Sequence, residues 1–144
     1  MNFVIQCLIS YLGLLPYFYL LIDLYFIEML SPEIIYDIML YNTLIIFTFI
    51  GAINWDFKKN NVIYTIYGFI PSLIAFFIMV LNVLNYEKYF LFSALIIFLL
   101  LQLFIDYLLY LNKKISSSVI HYLRIPVTLT LSGLLLISIL VSHP

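Results

Sequence analysis

Five apolar runs dictate what this chain can become: Phe3 to Ile22, Ile38 to Trp55, Val62 to Leu84, Tyr89 to Leu111 and Ile125 to Val141. A helix needs about 20 apolar residues to cross the hydrocarbon core of a bilayer. The first four runs approach that length, and the last is short enough to cross with little tilt. Inside lipid every backbone N–H and C=O needs an internal partner, so such runs become helices. The sequence therefore predicts an all-α, polytopic membrane bundle of about five helices (3–22, 38–55, 62–84, 89–111 and 125–141), with residues 1–144 forming a single membrane domain. Composition agrees. With 66% hydrophobic and 9% charged residues, 144 residues carry more apolar surface than a soluble domain of that size could bury.

Local signals place the helix ends. Ser31-Pro32-Glu33 reads as an N-cap, a proline at the first helical position and an acidic residue at the positive end of the dipole, so the second helix is expected to begin before its apolar run does. At the N-terminus, MNFVIQCL has no Lys or Arg ahead of its apolar run and no small-residue cleavage pattern, so the first run is expected to be retained as a helix. Three alanines among abundant Ile, Leu, Tyr, Phe and Asn read as AT-rich coding, in keeping with a bacterial or organellar genome.

Charge sets the expected threading. Five helices put the N-terminus, Lys58, Lys59, Lys113, Lys114 and Arg124 on one side, and only Lys88 on the other, beside Asp23, Glu28, Glu33 and Asp37. Lys and Arg excess marks the cytoplasmic side. The N-terminus is thus expected in the cytoplasm or matrix and the C-terminus outside. A net charge of −1 and the lack of a polybasic tract argue against nucleic acid as a partner. The bilayer itself is the expected partner, with other membrane proteins or a respiratory complex beyond it. The lone Cys7 excludes an intramolecular disulfide.

One residue breaks the apolar logic. In LLLQLFIDYLLYLNKK, Asp106 lies within a spanning helix, where a charge costs about 2.5 to 3.5 kcal/mol and must be paired, hydrated or functional. Gln102 shares its helix face at a spacing of four. In the last run Arg124, Thr128 and Ser132 form a second polar stripe with the same spacing. Arg124 opens that run after a short connection, and its long side chain can reach back to Asp106. The expected pair is Asp106–Arg124, joined by Gln102 and Thr128, with Asn54, Trp55, Asp56 and His121 delivered to the same end. A pair of this kind most often fixes helix register, and a catalytic or transport role is the alternative.

Glycines and prolines are read as packing and shape. Gly13, Gly51, Gly68 and Gly133 are expected at close helix approaches. Pro16, Pro71 and Pro126 are expected to interrupt backbone hydrogen bonding, with Ser72 beside the second of these breaks on a possible polar route. Gly13-x-x-Pro16 and Gly68-x-x-Pro71 share a frame, too small a match to establish a duplication. There is no phosphate-binding loop, no nucleophile–His–acid order, no HExxH and no metal-ligand spacing. Neither a cofactor nor a metal is expected, and enzyme chemistry has no positive support.

In order, the segments LGLLP, FIGAINW, PSLIAFF, LQLFID and LRIPVT resemble a domain-of-unknown-function family of small multi-pass membrane proteins found in proteobacteria and mitochondria, which includes transmembrane protein 69. Gly51, Trp55, Pro71, Ser72, Asp106, Leu123, Arg124 and Thr128 carry the resemblance. Ala52 and Asp56 stand where that family tends to have glycines, which puts a very tight backbone approach there in doubt. The resemblance implies a polytopic helical fold in a bacterial cytoplasmic or mitochondrial inner membrane, and brings no activity or substrate. The expected function is that of a non-enzymatic accessory or assembly component. A small transporter or proton-linked channel built on Asp106 and Arg124 is the alternative, and an enzyme acting on a lipid-soluble substrate comes third.

Overall fold

The computed structural model describes residues 3–52, 62–112 and 114–142, in which all regular structure is helical. Five stretches are long and apolar enough to cross a membrane: Cys7–Ile27, Pro32–Gly51, Ile66–Val83, Lys88–Leu111 and Ser117–Leu140. Their bounds depart from the apolar runs where local chemistry overrides hydropathy.

The first span is not the single helix 3–22. It divides into α1 (Phe3–Leu12) and α2 (Leu15–Ile22), and continues as a π-helical turn, Asp23–Ile27. Pro16 causes the division: it has no N–H to give the carbonyl of Leu12, and its ring would press against that carbonyl in a continuous helix. The chain tightens instead, Leu14 N–H bonding the Tyr11 carbonyl at 3.0 Å, and restarts with the proline in the first turn. At the far end Glu28 adopts φ 56°, a left-handed cap usually given to glycine. Asp23 holds that turn: its carbonyl accepts from Glu28 N–H at 2.8 Å, and its fully buried carboxylate accepts from Leu30 N–H at 3.0 Å and Met29 N–H at 3.3 Å.

The second span, α3 (Pro32–Ala52), begins at the proline, the Ser31 carbonyl accepting the first helical bond from Ile35. The third, α4 (Val62–Val83), is followed by a turn with Asn85 at φ 60°, which Asn tolerates better than most residues. α5 (Lys88–Leu111) is the fourth span. The last begins at α6 (Ser117–Val119), where Ser116 caps the N–H of Val119, passes through a second π-helical turn (Ile120–Arg124) and continues as α7 (Ile125–Ser142). It therefore starts two turns before residue 125.

α3 lies along α4, and α5 lies along α7. Tyr17, Met39, Leu40, Phe47, Leu91, Leu95, Leu99, Leu131 and Leu135 fill the space between. Outward faces are apolar as well, with Phe49, Phe77, Phe104 and Leu140 more than half exposed, an arrangement suited to lipid. Tyr17 and Thr43 join the first span to α3 inside the bundle, 2.7 Å apart. Thr43 gives its one proton to the Met39 carbonyl, so the tyrosine is the donor.

Gly51 sets the closest approach. A Cβ there would lie 2.7 Å from Pro71 Cγ and 2.8 Å from the Gly68 carbonyl oxygen, so α3 and α4 meet as they do only because the residue has no side chain. Gly13 is in ordinary contact with Ile46 of α3, at 3.9 Å for an added Cβ. Gly133 departs from expectation: nothing lies within 4 Å of its would-be Cβ, so it makes no close approach.

Candidate functional site

Antiparallel threading gathers the end of α3, the start of α4, the end of α5 and the start of the last span at one end of the bundle. Asp106 lies about 7 to 8 Å along the axis from the end of α5. Arg124, inside the π-helical turn, lies a similar distance into the last span. The Arg124 Nε stands 3.3 Å from Asp106 Oδ2, and the two side chains are 4% and 1% exposed. The contact is coulombic in character, because the Nε–H makes no well-aligned hydrogen bond. The Nη2 of Arg124 donates to the Ile50 carbonyl at 2.8 Å. This charge-assisted bond ties the start of the last span to α3.

Tyr67 of α4 completes the cluster. Its hydroxyl donates to Asp106 Oδ1 at 3.2 Å, with the Gln102 carbonyl a more distant acceptor at 3.5 Å. One carboxylate and one guanidinium thus join α3, α4, α5 and the last span. Neither Tyr67 nor the Ile50 carbonyl is signalled by sequence, since each is brought in across helices and not by local spacing.

Several expected members lie elsewhere. Gln102 is buried on the same face as Asp106, yet neither end of its amide hydrogen-bonds to the protein. Thr128 is buried one turn beyond Arg124. His121 is exposed: its Nδ1 lies 2.9 Å from the Ser117 carbonyl and its ring meets Tyr110 edge-on at 5.5 Å. The wider π-helical turn rotates His121 and Arg124 further apart than an α turn would, which parts the histidine from the pair. Asn54, Trp55 and Asp56 lie outside the described residues.

The proline breaks are satisfied in specific ways. Pro126 cannot bond the Tyr122 carbonyl, and the Tyr11 hydroxyl of α1 donates to that oxygen at 2.7 Å. Pro71 is buried against Gly51, and Ser72 beside it is half-buried.

A second polar cluster closes the opposite end. Lys88, the first residue of α5, pairs with Asp37 of α3 and donates to Asn82 Oδ1 of α4. The Asn82 amide donates to Asp37 at 3.2 Å and to the Tyr41 hydroxyl at 3.1 Å. Its Lys88 and Asp37 side chains are 25% and 38% exposed, so unlike Asp106–Arg124 this pair touches solvent or lipid headgroups.

Comparison with protein-family models, curated proteins and solved structures found no match for this chain.

Proposed function

We propose that this chain is a non-enzymatic component of a bacterial cytoplasmic or mitochondrial inner membrane, acting through other membrane proteins as an accessory or assembly factor, and that it is a relative of the transmembrane protein 69 family. One observation carries the reading. The only ion pair found within the spans at the Asp106 end, among the described residues, is engaged by the bundle itself: Asp106 by Tyr67 and Arg124, Arg124 by Ile50. Such a pair holds four helices in register and supports a rigid platform whose large apolar faces meet lipid or neighbouring proteins. The lysines flanking the ends favour a cytoplasmic or matrix N-terminus, with Lys58, Lys59, Lys113 and Lys114 against Lys88; Arg124 belongs to the span and not to a loop.

Photo-crosslinkers at the exposed positions Phe49 and Phe104, with one at buried Leu95 as control, test the role in native membranes. A single defined membrane partner at the exposed positions supports the proposal. Recovery of the protein alone from every position overturns it. A proton-linked transporter is the second reading, favoured by the unpartnered Gln102 and Ser132 beside the pair. It requires proton flux in proteoliposomes that Asp106→Asn abolishes.

A further inference from the structure

Two polar side chains stand inward of the ion pair without the partners their chemistry requires. Gln102 is 5% exposed and Ser132 8% exposed, and neither the amide nor the hydroxyl hydrogen-bonds to the protein. The Arg124 Nε, 3.3 Å from Asp106 Oδ2, is held there by charge without a well-aligned hydrogen bond. Groups so deeply buried are ordinarily bonded, and each exception calls for an explanation.

Helix geometry places Gln102 and Ser132 at neighbouring depths on the paired helices α5 and α7. Gln102 lies one turn inward of Asp106, about 6 Å, and Ser132 two turns inward of Arg124, about 12 Å. The contact of Ser138 with Met39, 3.5 Å from oxygen to sulfur, keeps α3 and α7 side by side beyond that depth. The set mixes donors (Gln102 Nε2, Arg124 Nε) with an acceptor (Gln102 Oε1) and a hydroxyl that is both. It carries no net preference for a cation or an anion.

We propose that the space between the facing sides of α5 and α7 is an internal binding site for ordered water extending from the Asp106–Arg124 pair to Ser132. A buried water makes about three hydrogen bonds to groups otherwise unsatisfied, and a short file of waters meets the mixed donors and acceptors found here. The file solvates the inward side of the ion pair, so both charges persist within the membrane while the apolar residues around them stay dry.

Water-edited solid-state NMR of the full chain in lipid bilayers tests the site. Magnetisation from water is expected to reach the Gln102 side-chain amide and Ser132 several-fold faster than it reaches Leu95 and Leu99, buried on the same helix as Gln102. Equal or slower build-up at both polar residues overturns the proposal. Gln102→Met, similar in length and without hydrogen-bonding groups, provides an independent arm. If Gln102 holds water, the variant melts at a lower temperature and Ser132 loses its transfer; an unchanged or raised melting temperature shows a dry, unpartnered amide and overturns the site.

Discussion

Removing Asp106 should destabilise the bundle more than removing Arg124, and removing both should cost little. At 3.3 Å and an effective dielectric constant of 20, two unit charges attract by about 5 kcal/mol. The penalty for breaking a buried pair at one partner is of the same order, about 3 to 5 kcal/mol, because an uncompensated charge stays behind. Asp106→Asn strands a guanidinium that cannot give up its proton. Arg124→Gln strands a carboxyl that can neutralise itself by taking one up and still keeps Tyr67, although the Ile50 carbonyl loses its donor at a cost of about 1 kcal/mol. Asp106→Asn should therefore lie near the top of the range and Arg124→Gln near the bottom. The double variant should lie within about 2 kcal/mol of the parent, since a buried pair is often replaceable by neutral residues of similar shape. Unfolding titrations in mixed micelles, read as a double-mutant cycle, measure the coupling directly. A coupling below about 1 kcal/mol would refute the reasoning, for it would mean the two charges are solvated separately. The exchange Asp106→Arg with Arg124→Asp is a stricter probe of geometry. It restores the attraction but moves the guanidinium away from Ile50, so it should recover only part of the loss.

Gly51→Ala should destabilise by about 1 to 3 kcal/mol, as its methyl meets Pro71 and Gly68 backbone, whereas Gly133→Ala should be neutral or stabilising by up to about 1 kcal/mol; thermal melts in one detergent compare them. The Lys88–Asp37 pair, being partly exposed, should weaken with salt, so Lys88→Ala should lower the melting temperature less at high ionic strength than at low, while Asp106→Asn should show no such dependence. Tyr11→Phe removes the donor that satisfies the Tyr122 carbonyl opposite Pro126 and should cost about 1 kcal/mol, and the further change Pro126→Ala should reduce that cost by returning a backbone donor to the same oxygen.

Sequence alone determined the class of this protein, because spanning length and apolar content are properties of contiguous residues. It likewise determined the start of α3 at Ser31-Pro32, the shared face of Gln102 and Asp106, and the backbone interruptions at Pro16, Pro71 and Pro126, all of which are set within one or two helical turns. The tertiary structure decided what each of these meets. Tyr67 and the Ile50 carbonyl reach the ion pair from positions 39 and 74 residues away in the chain, so no local pattern could announce them. Gly51 and Gly133 look alike in sequence, yet only the first faces a neighbouring backbone. His121 was separated from Arg124 by a π-helical turn, a small change of winding that hydropathy does not register. Lys88 and Asp37 were legible as opposite charges on one side, but the amide of Asn82 that joins them came from a third helix. The reason is common to all: spacing along a helix fixes which residues share a face, while only packing fixes which face looks at which.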